Sequence, residues 1–533
     1  MTREEAKNLV YGNPKAAIEL IVESSQAVEI LKVRLAELER KIGLLTKDSS
    51  NSSRPPSSDG LGKKLKTQRP KKSRKRNPGG QPGHKGTRRE LVPVEEVDHV
   101  EEVLPESCES CHRPLALKSS RVLGTYLRCQ VTDIPIIKPQ TTEYKLRCVK
   151  CSCGATTWAD IPSHARSGFG PRFTAMLAYL TALHKVTRRG CQEIAQTLFG
   201  IDISVGSVCN LHEEVSQAVA SCCEEIRQAL PLEEVLNLDE TGWRSMGKRI
   251  WLWVFTSPRM AFFTLSASRG ARVLRETLGQ TYSRILCSDM FSAYNAYHKG
   301  VRQICWAHII RNLRGLKHSC RSPDGVKFPK WMLSEVGRMF GLWHAFKKGF
   351  VDRRTLVKKS VPLRARMNRC LQTYELSSDP DVARAARGLL KHWNHLFTFL
   401  EHEGVEPTNN AAERGNRPAV MWRKICFGNQ SEKGQLLTAR LLTVTRTCFL
   451  QNRNTFEFLV DSITAHRLRL PKPSLLTLDL AIGEKNIFRH EDCTVLSPLN
   501  LIGSWREESR APTKNRGLEK YEEKIKIRQE QIG

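Results

Sequence analysis

Two short apolar runs that each end on an aspartate set the tightest limit on how this chain can fold. Val235-Leu-Asn-Leu-Asp239 and Arg284-Ile-Leu-Cys-Ser-Asp289 have the length and aliphatic content of buried strands, and each delivers a carboxylate at its far end. Between them, Ile250-Trp-Leu-Trp-Val-Phe255 and Met260-Ala-Phe-Phe-Thr-Leu265 predict a hairpin turning over residues 256–259, and residues 269–279 predict a helix. Arg302-Gln-Ile-Cys-Trp306 predicts one more strand, with a helix from about Ala307. Strand, hairpin, helix and strand in that order predict a mixed α/β sheet of ribonuclease H type.

The acids bear on chemistry as well as on fold. In-line displacement at a phosphodiester uses two divalent ions about 4 Å apart, held by hard oxygen ligands. Asp239 and Asp289 can bridge such ions if their strands are neighbours. Glu240 is less suited, because successive strand residues face opposite sides of a sheet. Taken singly, an aspartate in such a place is more often a turn or cap residue. A third carboxylate is needed, and Glu413, in Pro407-Thr-Asn-Asn-Ala-Ala-Glu413-Arg-Gly-Asn-Arg417-Pro418, is the candidate. The same segment also fits a structural role, with Asn410 as N-cap three residues before Glu413 and a Glu413–Arg417 ion pair one turn on.

Upstream, Ile21, Val28, Leu35 and Ile42 stand seven apart, with Leu31, Leu38 and Leu45 three residues further on. Residues 15–46 therefore predict a coiled-coil helix that pairs with a second copy, the alternative being an amphipathic helix packed on its own domain. Residues 47–90 predict a basic, flexible linker: from 61 to 90 there are twelve Lys or Arg against one Glu, centred on Lys71, Lys72, Arg74, Lys75 and Arg76. Such density favours an arm that tracks phosphates without sequence preference over a merely solvated tether, because neutralising closely spaced phosphates releases counterions. Over all 533 residues, 85 Lys plus Arg against 55 Asp plus Glu give a net charge of +30, which makes a polyanion the leading partner. With 40% hydrophobic and 26% charged residues the chain is neither wholly disordered nor a membrane protein. No apolar stretch approaches the ~20 residues of a membrane span, and the first residues lack a signal peptide's apolar core, so a cytoplasmic location is expected.

In a reducing compartment, clustered cysteines are metal ligands and isolated ones, such as Cys191, Cys320 and Cys448, are small buried hydrophobes. Residues 91–165 hold Cys108-Glu-Ser-Cys111 and Cys148-Val-Lys-Cys151-Ser-Cys153, which predict a structural Zn²⁺ on Cys108, Cys111, Cys148 and Cys151, with Cys153 as the alternative fourth ligand and His112 close to the first pair. The alternation around residues 126–137 suits the strands of a zinc ribbon. Residues 166–232 predict helices: Phe173, Met176, Leu177, Leu180 and Leu183 follow helical spacing, and a helix, a turn at Gly200 and a second helix capped by Ser204 have the rhythm of a helix-turn-helix or a helical hairpin.

Asn51-Ser-Ser-Arg-Pro-Pro-Ser-Ser-Asp59, Gly79-Gly-Gln-Pro-Gly-His-Lys-Gly86, the paired cysteines, Asp239-Glu-Thr, Ser288-Asp289 with Ala293-Tyr294, Cys305-Trp-Ala-His308, and Asn410-Ala-Ala-Glu-Arg414 with Arg417-Pro418 resemble, in order and over about residues 50–460, the transposase of the insertion sequence 66 family. The resemblance implies a DDE transposase that binds the terminal inverted repeats of a bacterial mobile element and cuts and joins double-stranded DNA. Asp239, Asp289 and Glu413 would be its triad on two Mg²⁺ ions. It also implies a ribonuclease H-like domain of residues 233–308 and 406–435, a helical insertion of residues 309–405, a C-terminal helical segment of residues 436–485, association with the nucleoid, and possible companion proteins of the same element. Arg414, Arg417, Arg423 and Lys424 follow the glutamate closely enough to meet phosphates, with surface salt bridges as the alternative. His308, with Cys305, would order the site, the alternative being that it merely packs behind it, and Trp243 would either stack on a base or be buried. The Gly415-Asn416 pair interrupts the smooth helix expected there, and residues 486–533 have no counterpart in the family. Two other readings share some of these features. A non-catalytic repressor derived from a decayed transposase has no need of three acids, and a nuclease for RNA–DNA hybrids or junctions leaves the zipper and the zinc segment unexplained.

Overall fold

The first helix, α1 (Arg3–Gly12), starts on a capping box: the Glu5 N–H donates to Thr2 Oγ1 and the Thr2 N–H donates to Glu5 Oε2 at 2.7 Å. With Pro14 at its first position, α2 (Pro14–Leu45) runs for 32 residues and leaves the heptad stripe of Ile21, Val28, Leu31, Leu35, Leu38, Ile42 and Leu45 exposed. The computed structural model describes residues 2–45, 89–115, 127–319 and 322–476. Lys71, Lys72, Arg74, Lys75, Arg76, Cys320 and the tail of residues 486–533 lie outside the described residues.

The chain divides into two compact units. In the smaller, residues 68–137 with 482–533, the first cysteine pair forms a tight turn in which the Cys108 N–H donates to Arg113 O and the His112 N–H to Cys108 O, both at 2.9 Å. The Gln130 side chain clamps the Val92 backbone with two bonds of 2.8 Å. Residues 127–137 form no strand, which corrects the expectation of ribbon strands there. Their apolar side chains, Val131, Ile134 and Ile136 among them, are exposed, and the segment meets residues 89–92 through side chains of Arg89, Arg128, Gln130 and Thr132, not through a backbone ladder.

The larger unit holds α1 and α2 and then, past residue 138, a small hairpin, β1 (Cys148–Lys150) and β2 (Thr156–Trp158), whose turn carries Cys151 and Cys153 and closes on Gly154 at φ +89°. Four helices follow: α3 (Pro171–His184), α4 (Arg188–Phe199), α5 (Val205–Ala218) and α6 (Ala220–Ala229). Thr187 caps α4, which ends at Gly200 in the left-handed region (φ +63°), and Ser204 caps α5. The expected helix, turn and helix are thus present, packed around Leu177, Cys191, Ala195, Ile203, Val208 and Leu211.

The sheet comes next. It contains β3 (Val235–Ser245), β4 (Lys248–Thr256) and β5 (Ala261–Ser266), then α7 (Ala271–Leu278), β6 (Ile285–Ser288), α8 (Ser292–Tyr297) and β7 (Arg302–Ile304). The strand order is β5-β4-β3-β6-β7; the first three are antiparallel, and β6 and β7 run parallel to β3. After β7 the chain leaves the sheet through α9 (Trp306–Ser319), α10 (Pro323–Lys347), α11 (Arg353–Tyr374), α12 (Pro380–Lys391) and α13 (Thr398–Glu401), which share a core with Val235, Cys287 and Ile304. It returns as α14 (Asn410–Cys426), α15 (Glu432–Leu450) and α16 (Thr455–Leu468).

The segment expected to be a separate C-terminal helical part is in large measure a wall of this sheet. On α15, Thr443 Oγ1 accepts the Phe263 N–H at 3.0 Å, and Thr447 Oγ1 accepts the Ala261 N–H and donates to Ala261 O, both at 3.1 Å, so the outer edge of β5 is satisfied by a helix. From α16, the buried Arg467 forks onto Glu214 at 2.7 and 2.8 Å and ties α16 to α5. No helix among the described residues is long and apolar enough to cross a membrane.

One buried histidine makes this helical core sensitive to acid. His212 on α5 lies with Nε2 at 3.0 Å from Thr181 Oγ1 and Nδ1 at 2.6 Å from Val208 O, and burial pulls its pKa down to about 4. Between the unfolded value near 6.5 and about 4 the unfolded chain binds the extra proton, so stability falls as pH drops through that window. Denaturant unfolding from pH 7 to 4 is expected to show a loss of up to roughly 3 kcal/mol from this group, and His212→Gln should flatten the slope.

Candidate active site

The β3–β6 pairing sets Val235 against Ile285, Leu236 against Leu286 and Asn237 against Cys287. The pairing stops two residues short of Asp239 and Asp289, which follow it in step on the two chains, and each carboxylate stands in the other's field. Asp289 Oδ1 accepts the Phe291 N–H at 2.8 Å, so the residue is also the turn residue that its position suggests. Its backbone is held from β7: the buried Arg302 donates to Ser288 Oγ at 2.8 Å and to Asp289 O at 3.2 Å, and also bonds Asn295.

Glu413 arrives on the first turn of α14 through contacts far away in sequence. Asn409, just before the helix, donates from Nδ2 to Leu238 O at 2.6 Å and accepts from Asn237 Nδ2 at 2.9 Å. Its backbone N–H donates to Cys305 Sγ at 3.1 Å, and the Trp306 N–H donates to Pro407 O at 3.0 Å. The helix start is therefore pinned both to β3, one residue short of Asp239, and to the start of α9. Asn410 is the first helical residue rather than a cap. Nor does Glu413 pair with Arg417: its Oε1 lies 3.2 Å from Arg311 Nη2 and 3.5 Å from His308 Nδ1, both on α9.

The Gly415-Asn416 pair, unexpected in a smooth helix, is where α14 meets the sheet. A Cβ on Gly415 would stand 3.4 Å from Val254 Cγ2, so the helix lies close against β4. Asn416 is buried; its Nδ2 donates to Asp239 Oδ2 at 2.8 Å, while its Oδ1 is buried without a hydrogen-bond partner.

Charge in this site is unbalanced. Burial pushes the Asp239 carboxyl well above the usual carboxylate range; Glu240, Asp289 and Glu413 push it the same way, and the Asn416 amide pulls it back. Glu240 faces the other side of the sheet and is committed there to Arg269 at 2.7 and 3.0 Å and to Tyr294. Asp239, Asp289 and Glu413 thus lie within reach of one another's fields, beside an amide oxygen that lacks a donor. A divalent cation suits such a set, since it satisfies hard oxygen ligands and offsets buried negative charge together.

Beside the triad, Cys305 Sγ, a His308 ring nitrogen and a Glu413 carboxylate oxygen lie within 4.8 Å of one another. Arg414, Arg417 and Lys424 are exposed, whereas Arg423 is half-buried and donates to Thr241 Oγ1 at 3.2 Å and to Gly242 O, which commits it to β3. Trp243 is buried with Nε1 on Asn429 Oδ1 at 2.7 Å, so it does not offer a face to a base. At the cysteine turns, the backbone N–H groups of Cys111 and Ser110 lower the Cys108 thiol, and those of Cys153 and Ser152 help lower Cys151. Asn416, Asn409, Arg302 and Arg311 escaped sequence reasoning; the only signals were the doubled asparagine at 409 and 410 and the three-residue spacing of Arg311 from His308.

A model of the transposase IS66 family matches residues 166–436. The chain belongs to that family. The matched IS66 region contains the whole five-stranded sheet, the three acids and helices α9–α14. A family of unknown function matches residues 4–90. The uncharacterized protein y4hP of Sinorhizobium fredii is 25% identical over 355 residues, 60% of this chain and 64% of the relative. The uncharacterized protein y4qI of the same organism is 24% identical over 243 residues, 40% of this chain and 43% of the relative. The chain thus spans less than two thirds of the length of either relative.

Removing the clamp is expected to loosen this IS66 site. Asn409→Ala leaves Leu238 O without its donor in a buried place, and should cost about 1–3 kcal/mol in denaturant unfolding.

Proposed function

We propose that this chain is a DDE transposase that cuts the ends of a bacterial insertion sequence at its terminal inverted repeats and joins them to target DNA. The observation that carries the reading is the field of Asp289 and Glu413 at the buried Asp239, supported by the parallel β3–β6 pairing and by the Asn409 clamp at the start of α14. A meander of three antiparallel strands followed by two parallel ones is the order of a ribonuclease H-like sheet, and supports the same reading.

Asp239 and Asp289 would hold two Mg²⁺ ions, with Glu413 completing the second site and Asn416 fixing Asp239 Oδ2. When bound, the ions activate the attacking oxygen and stabilise the leaving one. Arg302 holds the Asp289 backbone and stands in the field of its carboxylate, and Arg311 holds Glu413 until an ion competes for it. Arg414, Arg417 and Lys424 face solvent where phosphates would approach, and the arm around Lys71, Lys72, Arg74, Lys75 and Arg76 would follow the DNA backbone. Cys108, Cys111 and Cys148, with Cys151 or Cys153, are proposed as ligands of a structural Zn²⁺, supported by the N–H groups directed at Cys108 and Cys151. The exposed stripe of α2 would pair two copies, which lets one assembly hold both element ends.

Cleavage of a DNA fragment carrying the terminal repeats, with Mg²⁺, should fall in Asp239→Ala, Asp289→Ala and Glu413→Ala by more than the ~10–100-fold typical of residues that only support metal ligands. Nicking that survives all three would sink the assignment, and tight binding without nicking by the wild type would favour the repressor. In sedimentation, the wild type should run as a dimer, and Leu31→Asp with Leu38→Asp should run at half its mass.

A further inference from the structure

Cys305 immediately precedes α9 and His308 lies in its first turn, three residues on, so both can face the first turn of α14. There Cys305 Sγ, a His308 ring nitrogen and a Glu413 oxygen lie within 4.8 Å of one another, close enough for one small ion to draw all three in. His308 Nδ1 is buried without a hydrogen-bond partner, with Glu413 Oε1 at 3.5 Å. Cys305 is fully buried and its Sγ accepts the Asn409 backbone N–H at 3.1 Å; burial pushes its thiol up to about 11, so the ion itself must displace the proton. One sulfur, one imidazole nitrogen and one carboxylate oxygen are a donor set that Mg²⁺ does not favour and Zn²⁺ does.

We propose that Cys305, His308 and Glu413 form a binding site for a single borderline transition ion, of which Zn²⁺ is the natural fit. On binding, the S–H bond breaks, its proton leaves to solvent and a metal–sulfur bond forms. Arg311, now 3.2 Å from Glu413 Oε1, gives way to the ion. Three protein donors leave a fourth tetrahedral position, which opens on the Glu413 side, where that side chain is 34% exposed. The consequence for activity rests on the function proposed above: because Glu413 is shared, Zn²⁺ held here takes from the acidic triad its third carboxylate and slows Mg²⁺-supported cleavage.

The test is titration of the full-length chain with Co²⁺ and then Zn²⁺, without DNA or Mg²⁺. The cysteines at 108–153, proposed above as Zn²⁺ ligands, would also take up these ions, so the reading is a difference. The wild type should take up one more equivalent than Cys305→Ser or His308→Ala, and the thiolate-to-cobalt absorption of that equivalent should vanish in Cys305→Ser. It should persist when Cys108 and Cys111 are both serine. Glu413→Gln should weaken the extra equivalent by about 100-fold or more while keeping the sulfur band. Equal uptake and equal spectra in wild type, Cys305→Ser and His308→Ala would overturn the site. His308→Ala, at a part-exposed ring, serves if Cys305→Ser disturbs the buried contact with Asn409. Zn²⁺ that does not slow Mg²⁺-supported cleavage by the wild type would overturn the competition. A chain that binds the extra ion and cuts no DNA would refute the transposase chemistry and leave this site standing.

Discussion

The parallel pairing of β3 with β6 is the contact on which the rest depends. It carries Asp239 on β3 and Asp289 just past the end of β6 into one another's field, and a one-residue slip of either strand would turn its side chains to the opposite face. Everything around it serves to hold that register under electrostatic load. Arg302 braces the end of β6 through backbone and hydroxyl contacts, and Asn409 fastens the carbonyl of Leu238 to the incoming helix. Like charges repel in a buried place, so the acids stay together only because hydrogen bonds and packing elsewhere offset the cost.

The nearby cations are distributed unequally among the acids. Glu240 has Arg269, and Glu413 has Arg311 and faces His308. Asp239 has only the amide of Asn416, and Asp289 bonds a backbone N–H. Asp239 therefore has the least cationic company, Asp289 lies in the fields of Arg302 and His308, and the helix-borne glutamate is held by groups that an incoming ion can displace. Because Glu413 and Asn416 ride one turn of α14, any shift of that helix moves a prospective ligand and the Asp239 hydrogen bond together.

The strands and helices of the central sheet were legible because apolar runs bounded by turn residues encode them locally, and the two aspartates stood out at their ends. The surroundings of Glu413 were not legible. Local rules assign Asn410 to a cap and Arg417 to an ion pair, but Asn409 spends its side chain on a strand 171 residues earlier, and Arg311 reaches Glu413 across 102. Tertiary contacts outbid each local preference there. The opposite error arose at residues 127–137, where an alternating pattern predicted strands but the described contacts to residues 89–92 run through side chains and form no ladder. Arg423 and Trp243 looked like nucleic-acid contacts because nothing in their own neighbourhood shows that β3 and Asn429 already engage them.

The sheet is closed at both margins. Threonines of α15 satisfy β5 on one side, and on the other β7 is met by α13, with the Phe399 N–H on Gln303 Oε1 at 2.9 Å and the Thr398 hydroxyl on Arg302 O. A strand from another molecule therefore meets no open ladder at either margin of the five-stranded sheet, and extending it would first require α15 or α13 to be displaced.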